Sequence, residues 1–112
     1  MTVGAKQTIK VRLSEMDRTK MRAIALTDGV DTRLNDITAR AVEWAFANRS
    51  RIRPVVVPRS NRQYISLYVP PDSRLPDLVK LWDCTQLEAL YSALRHYIQH
   101  RELEPESSRG VA

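Results

Sequence analysis

Two stretches of the chain alternate between apolar and polar residues with a period of two. Residues 7–13 divide their side chains between two faces: Ile9, Val11 and Leu13 against Thr8, Lys10 and Arg12. Residues 63–69 repeat the pattern: Ile65, Leu67 and Val69 against Tyr64, Ser66 and Tyr68. This period predicts two short strands, each with one buried face. Each stretch runs at once into a helix-start signal, so its partner strand has to come from elsewhere.

Apolar residues at helical spacing follow each strand in two successive segments. The first two segments carry Met21, Ile24 and Ala25, then Leu34, Ile37, Ala41, Val42, Ala45 and Phe46. The last two carry Leu75, Leu78, Val79 and Trp82, then Leu87, Leu90, Tyr91, Leu94, Tyr97 and Ile98. The chain therefore predicts strand–helix–helix twice, a repeat in pattern with little identity between the copies.

Start and stop signals support the first two helices. Ser14 can cap the first helix, and Asp17 three residues later makes a variant of the capping box. Gly29 stands where a left-handed residue ends a helix. Asp31 or Thr32 can cap the second helix, which is expected to end near residue 48.

The second copy carries its own signals. The segment "PPDS" stops the strand and caps the third helix, with Pro76 tolerated in the first turn. Thr85 and Glu88 form a T-x-x-E capping box that opens the fourth helix. We expect an internal arrangement of four parts: a first repeat at 1–48, a basic linker at 49–62, a second repeat at 63–101 and a disordered tail at 102–112.

The linker is the most basic segment of the chain. Residues 49–62 hold five arginines and no acidic residue. Pro54 and Pro58 bracket Val55–Val57, which suggests a short edge strand at the valines. The arginines can lie along phosphates, or they can be the solvated side chains of a flexible linker.

Charge is divided unequally between the halves of this 112-residue chain of net charge +5. Residues 1–56 hold eleven Lys and Arg against six Asp and Glu, whereas residues 57–112 hold seven of each. The excess positive charge therefore lies in the first half, which favours a polyanionic partner, most often nucleic acid. The plainer interpretation is a mildly basic, well-solvated protein.

Several classes of function are disfavoured. There is no apolar run of the roughly 20 residues needed to span a membrane and no secretory h-region, and a single cysteine, Cys84, suits a reducing cytoplasm. No glycine-rich phosphate loop or G-x-S-x-G motif indicates an enzyme. His96 and His100 have i, i+4 spacing, but no clear third ligand accompanies them, so we expect no metal, cofactor or small-molecule ligand.

One strand–helix–helix unit of about 45 residues is too small to bury both its strand and its helices, so a second copy is needed. The fourteen-residue linker can span about 40 Å when extended. Pairing of the two strands within one chain and pairing between two chains are therefore both allowed.

The segment "IKVRLSEMDRTKMRAIALTDGVDTRLNDITARAVEWAF" resembles the ribbon–helix–helix family of DNA-binding proteins. The resemblance rests on the strand ending in "VRLS", the glycine turn and the helix with "ARAVEW". The segment "YISLYVPPDSRLPDLVKLWDCTQLEALYSALRHYI" is similar, but its turn "WDCT" lacks glycine and its strand lacks a basic residue. Two copies in one chain resemble the tandem, TraY-like accessory proteins of conjugative-plasmid relaxosomes.

The resemblance implies a mainly α fold with a short antiparallel β-ribbon, built from two ribbon–helix–helix repeats. It also makes pairing of residues 7–13 with residues 63–69 within one chain the default. A two-stranded ribbon fits the major groove of double-stranded DNA. The outward row is then expected to contact bases: Thr8, Lys10, Arg12, Tyr64, Ser66 and Tyr68. Lys10 and Arg12 can donate to guanine O6 and N7, although exposed ribbons need polar residues in any case.

Phosphate contacts are expected from two places. The family uses the start of the second helix of each repeat, which matches Thr32 and Arg33 in the first copy and Cys84, Thr85 and Gln86 in the second. In the linker, Arg51 and Arg53 are the further candidates.

These expectations favour a sequence-specific DNA-binding protein, either a transcriptional repressor or a plasmid-processing accessory factor that can self-associate on DNA. An antitoxin-type autorepressor is one alternative. A protein-interaction module that docks through Tyr64 and Tyr68 is another, because exposed aromatic rows also mark interfaces.

Overall fold

Six elements alternate as strand, helix, helix, strand, helix, helix in the computed structural model, which describes residues 7–70 and 72–103. They are β1 (Gln7–Arg12), α1 (Glu15–Asp28), α2 (Leu34–Ala47), β2 (Tyr64–Val69), α3 (Leu75–Trp82) and α4 (Gln86–Leu103). The prediction of a mainly α chain with one short antiparallel β-ribbon is confirmed. The expected disordered tail falls mostly outside the described residues, and α4 continues two residues beyond its predicted end.

The two strands pair with each other, antiparallel and within one chain. The register is Gln7↔Val69, Thr8↔Tyr68, Ile9↔Leu67, Lys10↔Ser66, Val11↔Ile65 and Arg12↔Tyr64. One further backbone bond extends the ladder, because the Leu13 N–H donates to the Gln63 carbonyl at 3.2 Å. The default of intrachain pairing is therefore the arrangement that the chain adopts.

The apolar face of the ribbon covers the helices. Its buried residues are Ile9, Val11, Leu13, Leu67 and Val69, with Ile65 half-buried. Beneath them α4 is the central helix, packed against α1, α2, α3 and β1. Its largest fully buried side chains are Leu90, Leu94 and Ile98. Within the described ranges, every helix is too short or too polar to cross a bilayer.

Ser14 caps α1 as predicted, because its Oγ accepts from the Asp17 N–H at 3.0 Å. The second half of the expected capping box is wrong. The Asp17 carboxylate instead accepts from Arg95 of α4 at 2.5 Å, and Asp17 is only 5% exposed. A nearby guanidinium satisfies a buried carboxylate better than the single N–H of a helix cap, so the ion pair prevails.

Gly29 ends α1 with φ +146° and ψ 152°. This is a positive φ, as predicted, but an extended backbone conformation that is essentially restricted to glycine. The predicted caps of α2, Asp31 and Thr32, are wrong: the cap is Arg33, whose N–H donates to Asp36 Oδ2 at 2.8 Å. The Thr32 N–H closes the glycine turn on the Gly29 carbonyl at 3.0 Å, so the chain enters the helix one residue later.

The turn between α3 and α4 uses different residues for the same purpose. Asp83 takes the left-handed conformation, with φ 49° and ψ 53°, where the first half has glycine. The Thr85–Glu88 capping box is confirmed: each residue's backbone N–H donates to the other's side chain, at 3.0 and 3.1 Å. At the start of α3, Ser73 Oγ accepts from the Leu75 N–H at 3.1 Å.

The edge strand predicted at Val55–Val57 is wrong. The linker lies along α4, where the Val55 N–H donates to Ser92 Oγ at 2.7 Å and Ser92 Oγ donates to the Val55 carbonyl at 3.3 Å. Val55 and Val57 pack against the core, and Val56 is 79% exposed. A helix side chain thus satisfies the backbone groups that a strand partner would have used.

A charged cluster joins three helices. Asp28, at the end of α1, accepts from Arg101 of α4 at 2.6 Å and from Arg40 of α2 at 2.7 Å. The hydrogen bond from Arg101 lowers the pKa of Asp28 below its usual value, against the opposing effect of burial. The same bond raises the pKa of Arg101. These ion pairs join the C-terminal end of α4 to α1 and α2.

Candidate nucleic-acid interface

The outer face of the ribbon brings together all six residues predicted to contact bases. They form three cross-strand pairs: Thr8 with Tyr68, Lys10 with Ser66 and Arg12 with Tyr64. Five are exposed, including Tyr64 at 60% and Tyr68 at 48%, and Arg12 is half-buried. Among the described residues, neither Lys10 nor Arg12 forms an ion pair. This face therefore offers two cations and several hydrogen-bonding groups to a partner.

The three outward pairs lie opposite each other at the closer of the two antiparallel spacings. The Leu13 N–H donates to the Gln63 carbonyl, so the adjacent pair, Arg12 and Tyr64, is of the non-hydrogen-bonded kind. The alternation makes the other two outward pairs non-hydrogen-bonded as well. Such pairs have Cα atoms about 4.5 Å apart, so their side chains meet across the strands.

Arg12 and Tyr64 make such a contact. The guanidinium carbon of Arg12 lies 5.6 Å from the centre of the Tyr64 ring. This distance is within the range of a cation–π interaction. Arg12 is half-buried, whereas Lys10, which faces the small side chain of Ser66, is exposed.

Two asparagines bind the outer edges of the ribbon. On β2, the Tyr68 N–H donates to Asn35 Oδ1 of α2 at 3.1 Å. On β1, the carbonyl of Arg12 accepts from Asn61 Nδ2 at 3.2 Å, and Asn61 is only 6% exposed. Sequence reasoning missed both residues. The only signal was the residue type, since short amide side chains often bond to nearby backbone.

The helix starts predicted to bind phosphate have several of their groups already engaged. The Thr32 and Arg33 N–H groups donate to Gly29 and Asp36, and the Thr85 N–H donates to Glu88. The Arg33 side chain is exposed, and Gln86 is half-buried in the first turn of α4. A phosphate at α2 would therefore meet the Arg33 side chain and the next amides of the first turn, beside the Asp36 carboxylate.

The linker arginines fall into two groups by position. Arg51 and Arg53 are exposed, and the Arg53 carbonyl accepts from His96 Nε2 at 2.7 Å. His96 is ten residues into α4, about 15 Å along its axis at 1.5 Å per residue. These two arginines therefore lie beside the middle of α4 and not beside its first turn.

Arg62 lies at the other end of the linker. It is exposed, and its neighbours Asn61 and Gln63 both bond to the end of β1, at Arg12 and Leu13. The structure therefore places this linker cation next to residues that bind the ribbon. It was counted in the basic run, but the charge pattern did not distinguish it from the other four.

The two histidines lie apart from any metal-type cluster. His96 bonds to the linker, and His100 stacks on Trp44 with ring centres 4.9 Å apart. Across residues 7–70 and 72–103, no group of three or more His, Cys, Asp or Glu side chains could hold a metal ion. Burial raises the pKa of the Cys84 thiol, which favours its protonated form.

The chain matches no protein-family model, no curated protein and no solved structure. The interpretation of the ribbon surface therefore depends on its own geometry and chemistry.

Proposed function

We propose that the chain consists of two ribbon–helix–helix repeats, 1–48 and 63–101, and binds double-stranded DNA by placing the β1–β2 ribbon in the major groove. One observation carries the proposal. The two strands pair within the chain, bury their apolar rows and present Lys10 and Arg12 outward. The excess of positive charge in residues 1–56 and the basic linker also favour a nucleic-acid partner.

The chemistry of the outer face suits the major groove, which admits a two-stranded ribbon and displays a distinct pattern for each base pair. Lys10 and Arg12 can donate to guanine O6 and N7, and Thr8 can contact a thymine methyl group. Ser66 can donate or accept. Arg33 and Arg62 are exposed cations suited to phosphates on either side of the groove.

The two strands of the ribbon differ, so a single copy of the chain has no twofold symmetry to match a palindrome. Cations are on β1, whereas β2 offers Tyr64, Ser66 and Tyr68. Phenol groups suit phosphate and sugar better than they discriminate bases. We therefore expect an asymmetric DNA site in which one strand of the ribbon supplies most of the base preference.

Both proposed biological roles use this binding. A transcriptional repressor occludes a promoter, and a conjugation accessory factor marks a plasmid site for processing. Either would act in the bacterial cytoplasm as a nucleoid-associated protein. Several copies on adjacent sites would add cooperativity to either role.

The test is a binding selection from random double-stranded DNA with the full chain, followed by affinity measurements over a series of salt concentrations. We expect one enriched, asymmetric site. Plotted logarithmically, affinity should fall with salt at a slope of roughly 0.9 for each phosphate contact. A perfect palindrome would instead indicate two chains related by a twofold axis on the site, either with one ribbon in each chain or with one ribbon formed between them. No enrichment and no binding at low salt would refute the proposal.

The exposure of Tyr64 and Tyr68, at 60% and 48%, favours one second candidate: an aromatic docking face for another protein. Size-exclusion chromatography with and without DNA separates the two. A chain that oligomerises tightly and ignores DNA at low salt would support the docking face.

A further inference from the structure

We propose that Tyr64 is a positioning residue, which holds the Arg12 guanidinium ready to read one base pair and makes that position the most stringent of the site. The inference rests on the proposed DNA binding. The two cations of β1, Lys10 and Arg12, thereby differ in how strictly they select a base, and Tyr64 is the aromatic residue opposite Arg12.

The first observation is the contact itself. Arg12 and Tyr64 are directly opposite in the register, and the guanidinium carbon lies 5.6 Å from the ring centre. The pair is non-hydrogen-bonded, which brings the two side chains closest. Tyr64 is 60% exposed, so its ring is a surface platform and not part of the core.

The second observation concerns the backbone of the same residue. The Arg12 carbonyl accepts from Asn61, a buried side chain of the linker. The next residue, Leu13, bonds back to Gln63. Arg12 is therefore held at its side chain by the ring and at its backbone by the linker.

A guanidinium that contacts the face of a ring keeps its planar fork of N–H donors available for other partners. That geometry suits two parallel hydrogen bonds to guanine O6 and N7. Lys10 differs in both respects, because its ammonium is a flexible point charge and its partner across the ribbon is Ser66. We therefore assign the sharper base preference to Arg12 and the more tolerant contact to Lys10.

The positioning can be tested first without DNA. Protons of the Arg12 side chain that lie over an aromatic ring should show upfield-shifted resonances in the NMR spectrum of the full chain. The shift should persist in Tyr64→Phe, which keeps the ring, and disappear in Tyr64→Leu. Arg12 resonances at ordinary positions in the unaltered protein would overturn the inference, whatever the protein does with DNA.

The second test uses the selected DNA site and its single-base variants, with affinity measured at constant salt. Tyr64→Leu should flatten the preference at one base pair, the one that Arg12→Ala also flattens, and weaken binding about two- to fivefold. Tyr64→Phe should retain the preference there. In an Arg12→Ala background, Tyr64→Leu should cause no further loss at that base pair.

Tyr68→Leu is the matched control, because Tyr68 is the other outward tyrosine of β2 and faces Thr8. Whatever it does to overall affinity, it should leave the preference at the Arg12 base pair intact. Circular dichroism melting should be unchanged in the Tyr64 variants. A uniform loss of affinity that spares base preference would overturn the positioning role. A wild-type chain that selects no site would overturn the proposed function itself.

Discussion

α2 and α4 occupy the same place in the two halves of the chain, but they are buried differently. α2 is buried along one stripe, formed by Ile37, Thr38, Ala41, Val42 and Ala45. α4 is buried without interruption from residue 89 to residue 94. The difference arises because the linker covers α4 at Ser92, whereas Arg40, the matching position of α2, is exposed.

The two strands also differ, but here the first half of the chain carries the distinctive side chains. β1 carries Lys10 and Arg12, and β2 carries no charged residue. The second half therefore supplies the central helix, and the first half supplies the cations of the outer face. Two segments with the same order of elements can thus have different roles, one in stability and the other in surface chemistry. This is possible because two segments of one chain do not have to be identical in sequence.

The largest effect expected from this comparison is on the core. Leu94 and Val42 are matching positions of α4 and α2, 0% and 1% exposed. Leu94→Ala should lower the free energy of unfolding by about 2–5 kcal/mol, through lost burial and the cavity left behind. Urea denaturation measures it. Val42→Ala should cost less, because it removes fewer carbons from a less enclosed helix. An equal or larger cost at Val42 would contradict a central role for α4.

The next effect is at the charged cluster between the halves. Asp28→Asn should cost about 1.5–3 kcal/mol near neutral pH, because it removes charge-assisted bonds to Arg101 and Arg40. The hydrogen bond from Arg101 holds the pKa of Asp28 below that of the unfolded chain. Its stabilisation is therefore complete above the unfolded value of about 3.9 and is lost as the pH falls through the folded value.

Denaturation at a series of pH values should show this loss in the unaltered chain and a shallower loss in Asp28→Asn. Asp77→Asn is the control: its ion pair with Arg74 is 3.3 Å long and its side chain is 48% exposed. Exposed pairs contribute about 0–1 kcal/mol, so this variant should follow the unaltered chain. Parallel pH profiles for all three proteins would show that Asp28 contributes nothing through its charge.

The comparison also indicates what sequence could predict. Both strands, all four helices and the Thr85–Glu88 box follow from local periods and spacings. A size argument required a second copy, since neither half can bury both its strand and its helices, and the family resemblance made pairing of the two strands within one chain the default. The register then placed Thr8, Lys10 and Arg12 outward, because one buried face fixes the alternation along each strand.

Apart from the cap of α2, where a local glycine turn moves the helix start to Arg33, the errors involve partners that are distant in sequence. Asp17 binds Arg95, 78 residues away, instead of closing a local cap. Val55 binds Ser92 instead of forming a strand. Asn61, which holds the Arg12 carbonyl across 49 residues, offered no signal in the linker beyond its residue type. Local patterns cannot anticipate such contacts, because they depend on which side of α4 the linker covers.

At the outer face, the difference between the strands predicts unequal effects on DNA binding. Lys10→Ala and Arg12→Ala should each weaken affinity for the selected site by about 1–3 kcal/mol and relax its sequence preference. Ser66→Ala, on the uncharged strand, should have a smaller effect. Fluorescence anisotropy at fixed salt measures all three. Unchanged affinity in both β1 variants would show that the first strand does not read bases.

The smallest effects are expected at the two inter-helix turns. Gly29→Ala should cost about 1–2 kcal/mol, because a residue with a side chain is strained at φ +146°. The added Cβ would meet Thr32 Oγ1 at 3.4 Å, an ordinary contact, so the cost is one of backbone conformation. Asp83→Gly should change stability by less than about 1 kcal/mol, because relief of the left-handed backbone is offset by the greater freedom of the unfolded chain. Thermal and urea denaturation of both variants measure these changes in stability. If Asp83→Gly were as costly as Gly29→Ala, the Asp83 side chain would have to contribute more to its turn than backbone conformation alone.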